Sequence, residues 1–277
     1  MQAILVAGYT AFFLFLIRRF RYFCPEGVQK QIIPMLFMLK VLAGIVLGLI
    51  YTYHYSAAKT TSDSIKFFED SGFLFDSIHY SLKDFLRMMT GIGADDPHLS
   101  VYYDKMGNWT NTNILFNDNK TVIRLNAFFR FFSMGYYYVH VVFINFLSLI
   151  GLTGLIRIFI HYCPENKNTV ALTTMFMPSV LFWGSGLLKD PVMISMFGLL
   201  LYMVFQIREK GFSSTRIILF SLLLFSLFFI KMYVMVTAFP GLLVMLFSKA
   251  KTNNLSLNRR GNRGQIWAYS SGMKVVF

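Results

Sequence analysis

The stretch MPSVLFWGSGLLKDP, Met177 to Pro191, separates two apolar runs, Thr169 to Leu188 and Val192 to Ile207. If Lys189-Asp190-Pro191 is a polar turn, each run is a helix crossing an apolar layer. If the stretch lies inside a water-soluble fold, charge should be spread through its flanks. The composition favours the first reading. Of 277 residues, 56% are hydrophobic and 14% charged, where a soluble domain usually carries about 25% charge. The apolar residues fall in long blocks rather than at amphipathic spacing, the pattern of a polytopic membrane protein.

A formal net charge of +13 raises the question of nucleic acid. The placement of the charges excludes it. Nine of the 13 acidic residues fall between His54 and Gly135, together with eight basic residues, so that segment is nearly neutral. The excess positive charge lies in short loops beside apolar runs, which is the bias of cytosolic loops and not a phosphate-binding face. Cys24 and Cys163 sit in two such loops, where reduced thiols are expected and a disulfide is not. The basic residues Arg18, Arg19 and Arg21 follow the first apolar run instead of preceding it. That order argues against a cleavable signal peptide and for an N-terminus outside.

The expected fold is all-α: a polytopic helical membrane protein of about seven transmembrane helices, with one large outer loop carrying interfacial helices. Residues 1–53 supply two spans, near Gln2 to Ile17 and Ile32 to Tyr53. Lys40 interrupts the second and is expected to snorkel to the cytosolic surface. Residues 54–135 form the extracytoplasmic loop. Within it, Leu82, Phe85, Leu86 and Met89 repeat at helical spacing, as do Val122, Leu125, Phe129 and Phe132. These are short amphipathic helices that either lie on the membrane or pack on each other.

Residues 136–248 hold five spans, the first near Tyr136 to Ile160 and then two hairpins. The run Ile217 to Phe247 would measure roughly 45 Å as one helix, against an apolar core of about 30 Å. A hairpin at Ile230-Lys231-Met232-Tyr233 removes the excess. Residues 249–277 are a basic cytosolic tail with the look of a truncated end. The pentapeptides Tyr22 to Glu26 and His161 to Glu165 echo one another as Cys-Pro-Glu turns, and Pro-Glu suits a helix start. Sequons stand at Asn108 and Asn119.

No phosphate-cradling loop, His-Glu-x-x-His or Cys-x-x-Cys is present. The chemistry-bearing residues gather instead at the outer ends of the spans. Asp63 is either a helix cap or a general base, and the two roles are compatible. Glu69 and Asp70 are further acidic candidates. Lys189, Asp190 and Lys231 are either solvated turn residues or, with Arg124 and Arg130, a cationic site for a lipid-linked phosphate.

Three stretches carry a resemblance: Ser62-Asp63-Ser64-Ile65-Lys66-Phe67-Phe68, the segment Pro178 to Asp190 around Phe182-Trp183-Gly184-Ser185-Gly186, and Ile230-Lys231-Met232-Tyr233. Together they resemble the bacterial polytopic glycosyltransferases of the C-type superfamily (GT-C) and related polysaccharide-polymerase-like membrane proteins. The usual Pro of the third motif is Met232 here, and Ser62 and Ser64 flank Asp63 where the family often has a second acid. The resemblance implies transfer of a sugar from a polyprenyl-phosphate carrier at the outer face of a bacterial inner (cytoplasmic) membrane. It implies Asp63 as base, outer cations on the phosphate, and a divalent metal as an assisting ion. Transport or flipping of a lipid-linked glycan, or a non-catalytic role in membrane assembly, stands as the alternative. The expected partners are the lipid bilayer and a lipid-linked sugar.

Overall fold

The computed structural model describes residues 1–55, 62–107 and 118–247. The tail 249–277 and the Asn108 sequon lie outside the described residues. Regular structure among the described residues is helical. In chain order the helices are α1 (Gln2–Arg19), α2 (Ile32–Ile50), α3 (Asp63–Asp76), α4 (Leu82–Thr90), α5 (Ser100–Tyr103) and α6 (Asp118–Ser133). They continue as α7 (Tyr137–Tyr162), α8 (Lys167–Phe176), α9 (Pro178–Phe182), α10 (Lys189–Lys210), α11 (Ser214–Ile230) and α12 (Met232–Phe247).

Four helices are long and apolar enough to cross a membrane: Gln2–Arg19, Ile32–Tyr53, Tyr137–Tyr162 and Lys189–Lys210. The bundle is built on α7, whose residues are mostly buried and which touches α1, α2, α8 and α10. Its closest neighbour is α10. A Cβ at Gly151 of α7 would strike the backbone of Ile194 and Ser195, and one at Gly198 would strike the backbone of Gly151. Small residues let two backbones approach where no water is available to drive association. Next to this seam Phe13, Phe37, Phe143 and Phe146 form an aromatic core, with Phe13 stacked on Phe146 at 4.2 Å between ring centroids.

The run Thr169 to Leu188 is not one span. Helix α8 stops at Met177, α9 follows for five residues, Trp183–Ser185 form a 3-10 turn, and Gly186 is extended. Two features of the sequence break it. Pro178 cannot donate an amide hydrogen and suits only a helix start, and the Gly184-Ser185-Gly186 triplet is a poor helix former. Lys189-Asp190-Pro191, expected as a turn, is instead the first turn of α10. An Asp is favoured there by the helix dipole and a Pro is tolerated.

At one end of the bundle α3 to α6 form a layer. Phe67, Leu74, Phe85, Met88, Leu99 and Ile123 bury their side chains in its core. The bounds of α4 follow from its sequence. The Ser81 hydroxyl accepts from the Asp84 amide, and Gly91 ends the helix at φ +82°, a conformation that costs glycine little. The layer is joined closely to the spans, since only Met134, Gly135 and Tyr136 separate α6 from α7. The run 217–247 is divided at Lys231 into α11 and α12.

The two Cys-Pro-Glu turns are alike. Cys24 (φ −115°, ψ 74°) and Cys163 (φ −121°, ψ 71°) adopt nearly the same conformation. Pro-Glu does not start a helix in either case, because α2 begins at Ile32 and α8 at Lys167. The turns lie side by side: Lys167 Nζ donates to the Glu26 carbonyl at 3.2 Å, and the Gln29 amide to Asn168 Oδ1 at 2.9 Å.

Candidate functional site at the start of α10

The first turn of α10 holds Lys189 and Asp190, and the break between α11 and α12 holds Lys231. Lys231 Nζ donates to Asp190 Oδ1 at 2.6 Å. The Lys231 side chain is 16% exposed and that of Asp190 35%, so the pair is sheltered but not sealed from its surroundings. Lys189 Nζ lies 5.8 Å from the centre of the Phe67 ring on α3. Phe67 is one helical turn from Asp63 on the same face of α3. Asp63 is exposed and is the first residue of α3. Ser62 holds the cap position, without a side-chain cap bond, so Asp63 is not the cap. The next residue fixes the start of α3 to α7, through the Ser64 and Tyr137 hydroxyls at 2.7 Å.

The two arginines are engaged within the α3–α6 layer. Arg124 Nε donates to the Met88 carbonyl at 2.7 Å, tying α6 to α4. Arg130 donates to Ser71 Oγ at 3.0 Å and to the Phe68 carbonyl at 2.7 Å, with its guanidinium 4.4 Å from the Phe68 ring centre. Burial draws both guanidinium groups below their ordinary pKa. The acidic candidates also separate. Glu69 is exposed, while Asp70 is buried and accepts from the Gly107 amide at 2.8 Å. Among the described residues no three His, Cys, Asp or Glu side chains converge as a metal-binding group.

Lys40 is the residue the sequence reading misplaced. It does not snorkel: it is 1% exposed. Its Nζ donates to the Gly184 carbonyl at 2.7 Å and to Ser185 Oγ at 3.1 Å. It stands eight residues into α2, about 12 Å at 1.5 Å per residue, which is too deep for its side chain to reach the surface. The broken segment from Pro178 to Leu188 supplies the acceptors that an intact helix would withhold. Asn145 Nδ2, on α7, secures the same segment by donating to the Ser185 carbonyl at 2.9 Å. Asn145 Oδ1 and Ser148 Oγ, also buried on α7, have no hydrogen-bond partner. The central position of Lys40 within its run and the Gly-Ser-Gly triplet were both visible signals, but nothing in the sequence pairs them.

Arg157, near the end of α7, works at a loop. It donates to the carbonyls of Tyr22 at 2.8 Å and Arg21 at 2.6 Å. His140 is a buried structural residue. Its Nδ1 meets Asn126 Oδ1 at 2.9 Å and its Nε2 meets Ser133 Oγ at 2.7 Å, which satisfies both nitrogens of a neutral ring. Searches against protein-family models, curated proteins and solved structures find no match to this chain.

Proposed function

We propose that this chain is an integral membrane glycosyltransferase that takes a sugar from a polyprenyl-phosphate carrier, at the face of the membrane that bears the α3–α6 layer. The observation that carries the reading is the meeting of Lys189, Asp190 and Lys231 at the N-terminus of α10, beside the α3 face that bears Asp63. A helix N-terminus with two ammonium groups attracts a phosphate leaving group as its charge develops. Asp190 orients Lys231, and Asp63 accepts the proton of the attacking hydroxyl. Arg124 and Arg130 shape the layer in this reading, and no step requires a metal. The setting proposed is the outer face of a bacterial inner membrane, with the N-terminus outside and the C-terminus inside, in the assembly of a surface polysaccharide.

The test is transfer from a polyprenyl-phosphate sugar by the protein in proteoliposomes. Asp63→Asn is expected to lower turnover by about two to four orders of magnitude, the usual range for loss of a general base. Unchanged turnover sinks the assignment. Lys231→Met should raise the KM for the lipid-linked donor more than Lys189→Met does, because it also frees Asp190.

Lys40 favours a second reading. A buried intramembrane ammonium held by the carbonyl of a broken helix is the arrangement of a transport path near the bilayer midplane. Net movement of the lipid-linked glycan across the vesicle bilayer without sugar transfer, abolished by Lys40→Met, would establish that reading over the first.

A further inference from the structure

The geometry points to the α3–α6 layer being partly immersed in the membrane, with the exposed face of α4 lying in the lipid leaflet beside the spans. This reading does not depend on the proposed activity.

Depth is the first argument. Helix α6 does not sit above the bundle. Its Phe129 stacks on Phe143 of α7 at 5.2 Å between centroids. Phe143 is six residues inside the start of α7, about 9 Å at 1.5 Å per residue. On α1 the Tyr9 hydroxyl donates to the Phe132 carbonyl at 2.8 Å, seven residues inside the start of that helix. The Thr121 hydroxyl reaches the Phe229 carbonyl, the penultimate residue of α11, at 3.3 Å. Helix α6 is thus pinned at its N-terminal end to the tip of α11 and at its C-terminal end to α1 and α7, well below their tips. The α1 residues nearer the tip are apolar and open, with Ile4 71% exposed. A membrane that covers Ile4 must also cover the outward side of the C-terminal half of α6.

Continuity is the second. Phe128, Phe131 and Phe132 of α6 are each about half exposed. Their rings form a chain from the span to α4: Phe143 to Phe132 at 6.4 Å, Phe132 to Phe128 at 5.6 Å, Phe128 to Phe131 at 6.4 Å, and Phe131 to Phe85 at 6.0 Å. The half-exposed rings of α6 therefore bridge the aromatic core around α7 and the buried Phe85 of α4, and they carry an apolar surface along the outward side of α6 between the two.

The third is the character of α4. Phe85 and Met88 face the layer's core, yet Leu82 and Leu86, on the flank of the same apolar stripe, are 59% and 50% exposed, and Ile92 just beyond is 78% exposed. They line a shallow apolar groove rimmed by Lys83 and Arg87. An apolar stripe wider than the core it meets leaves a margin that is poorly suited to water, whereas apolar residues flanked by cations suit the boundary between acyl chains and phosphate headgroups.

The test uses the full chain in lipid nanodiscs, with Cys24→Ser and Cys163→Ser as background and nitroxide labels on Leu82→Cys, Leu86→Cys or Ile92→Cys. Asp104→Cys, at an exposed position, is the water reference. Collision with oxygen relative to a water-soluble nickel chelate is expected to be several-fold higher at the three apolar positions than at the reference. Three labels as open to the chelate as the reference overturn the proposal. Labels shielded from both reagents also overturn it, because they mean that a protein partner and not lipid covers α4.

Discussion

An ammonium group in an apolar layer needs acceptors, and Lys40 finds two on a segment far away in the chain. Among the described residues no carboxylate forms an ion pair with it. Replacing it with Met removes the charge but leaves the Gly184 carbonyl without its donor, and an orphaned buried acceptor costs about 1–3 kcal/mol. Lys40→Met is therefore expected to lower the unfolding midpoint in mild detergent, and Lys40→Arg to fail as a substitute because Gly184 packs close to Nζ. At Asp96 the carboxylate is held below its ordinary pKa by the backbone amide of His98, and further by the Arg87 guanidinium 2.9 Å away. Its stabilising effect is thus full above the ordinary carboxylate range and fades as pH falls through the lowered value. Hydrogen exchange of the α4 end and of Pro97–Leu99 should quicken on acidification beyond the intrinsic pH trend, and Asp96→Asn should remove that excess.

At the level of elements, the contact of α7 with α10 makes the clearest demand. A methyl group at Gly198 has no free direction toward Gly151, so Gly198→Ala must push the helices apart, at a cost of about 1–3 kcal/mol. Gly8→Ala, inside α1 at a position with nothing within 4 Å, should not destabilise and should raise stability slightly, since Ala favours a helix interior over Gly by up to about 1 kcal/mol, and a thermal melt of both variants tests the pair. The long apolar helices were legible because composition and length suffice for them: α1, α2, α7 and α10 lie where apolar runs stand. Helix α4 was legible from its cap serine, its periodicity and Gly91. The break at Pro178 to Leu188 was not, because hydropathy is blind to backbone geometry. Its glycines and proline permit an unwound segment, and only the partners Lys40 and Asn145 select it. Reading Lys189-Asp190 as a turn failed for the same reason: both a turn and a helix start favour Asp and Pro.

At the scale of the molecule, the candidate site is assembled from four separate elements: α3, α10, and the ends that meet at Lys231. Asp190 and Lys231 were legible as charges in apolar surroundings, but their contact depends on α10 and α11 lying side by side. Arg124 and Arg130 looked like ligands for a phosphate, and the fold uses them to lock α6 to α4 and α3. The distance along the chain between Lys40 and its acceptor, 144 residues, has a consequence for biosynthesis. Helix α2 enters the bilayer long before Gly184 is made. A lysine near the centre of an isolated helix costs roughly 2.5–3.5 kcal/mol to insert. The span from Ile32 to Tyr53, with a mean hydropathy of 2.4 over its apolar stretch even with the lysine counted, can carry that burden, but the helix is then free to shift its lysine toward either surface. Its final depth is set only when the broken segment arrives. Nascent chains that end before Gly184 should therefore hold α2 in a shallower or variable register, and glycosylation mapping at its flanks would read the change as the chain lengthens.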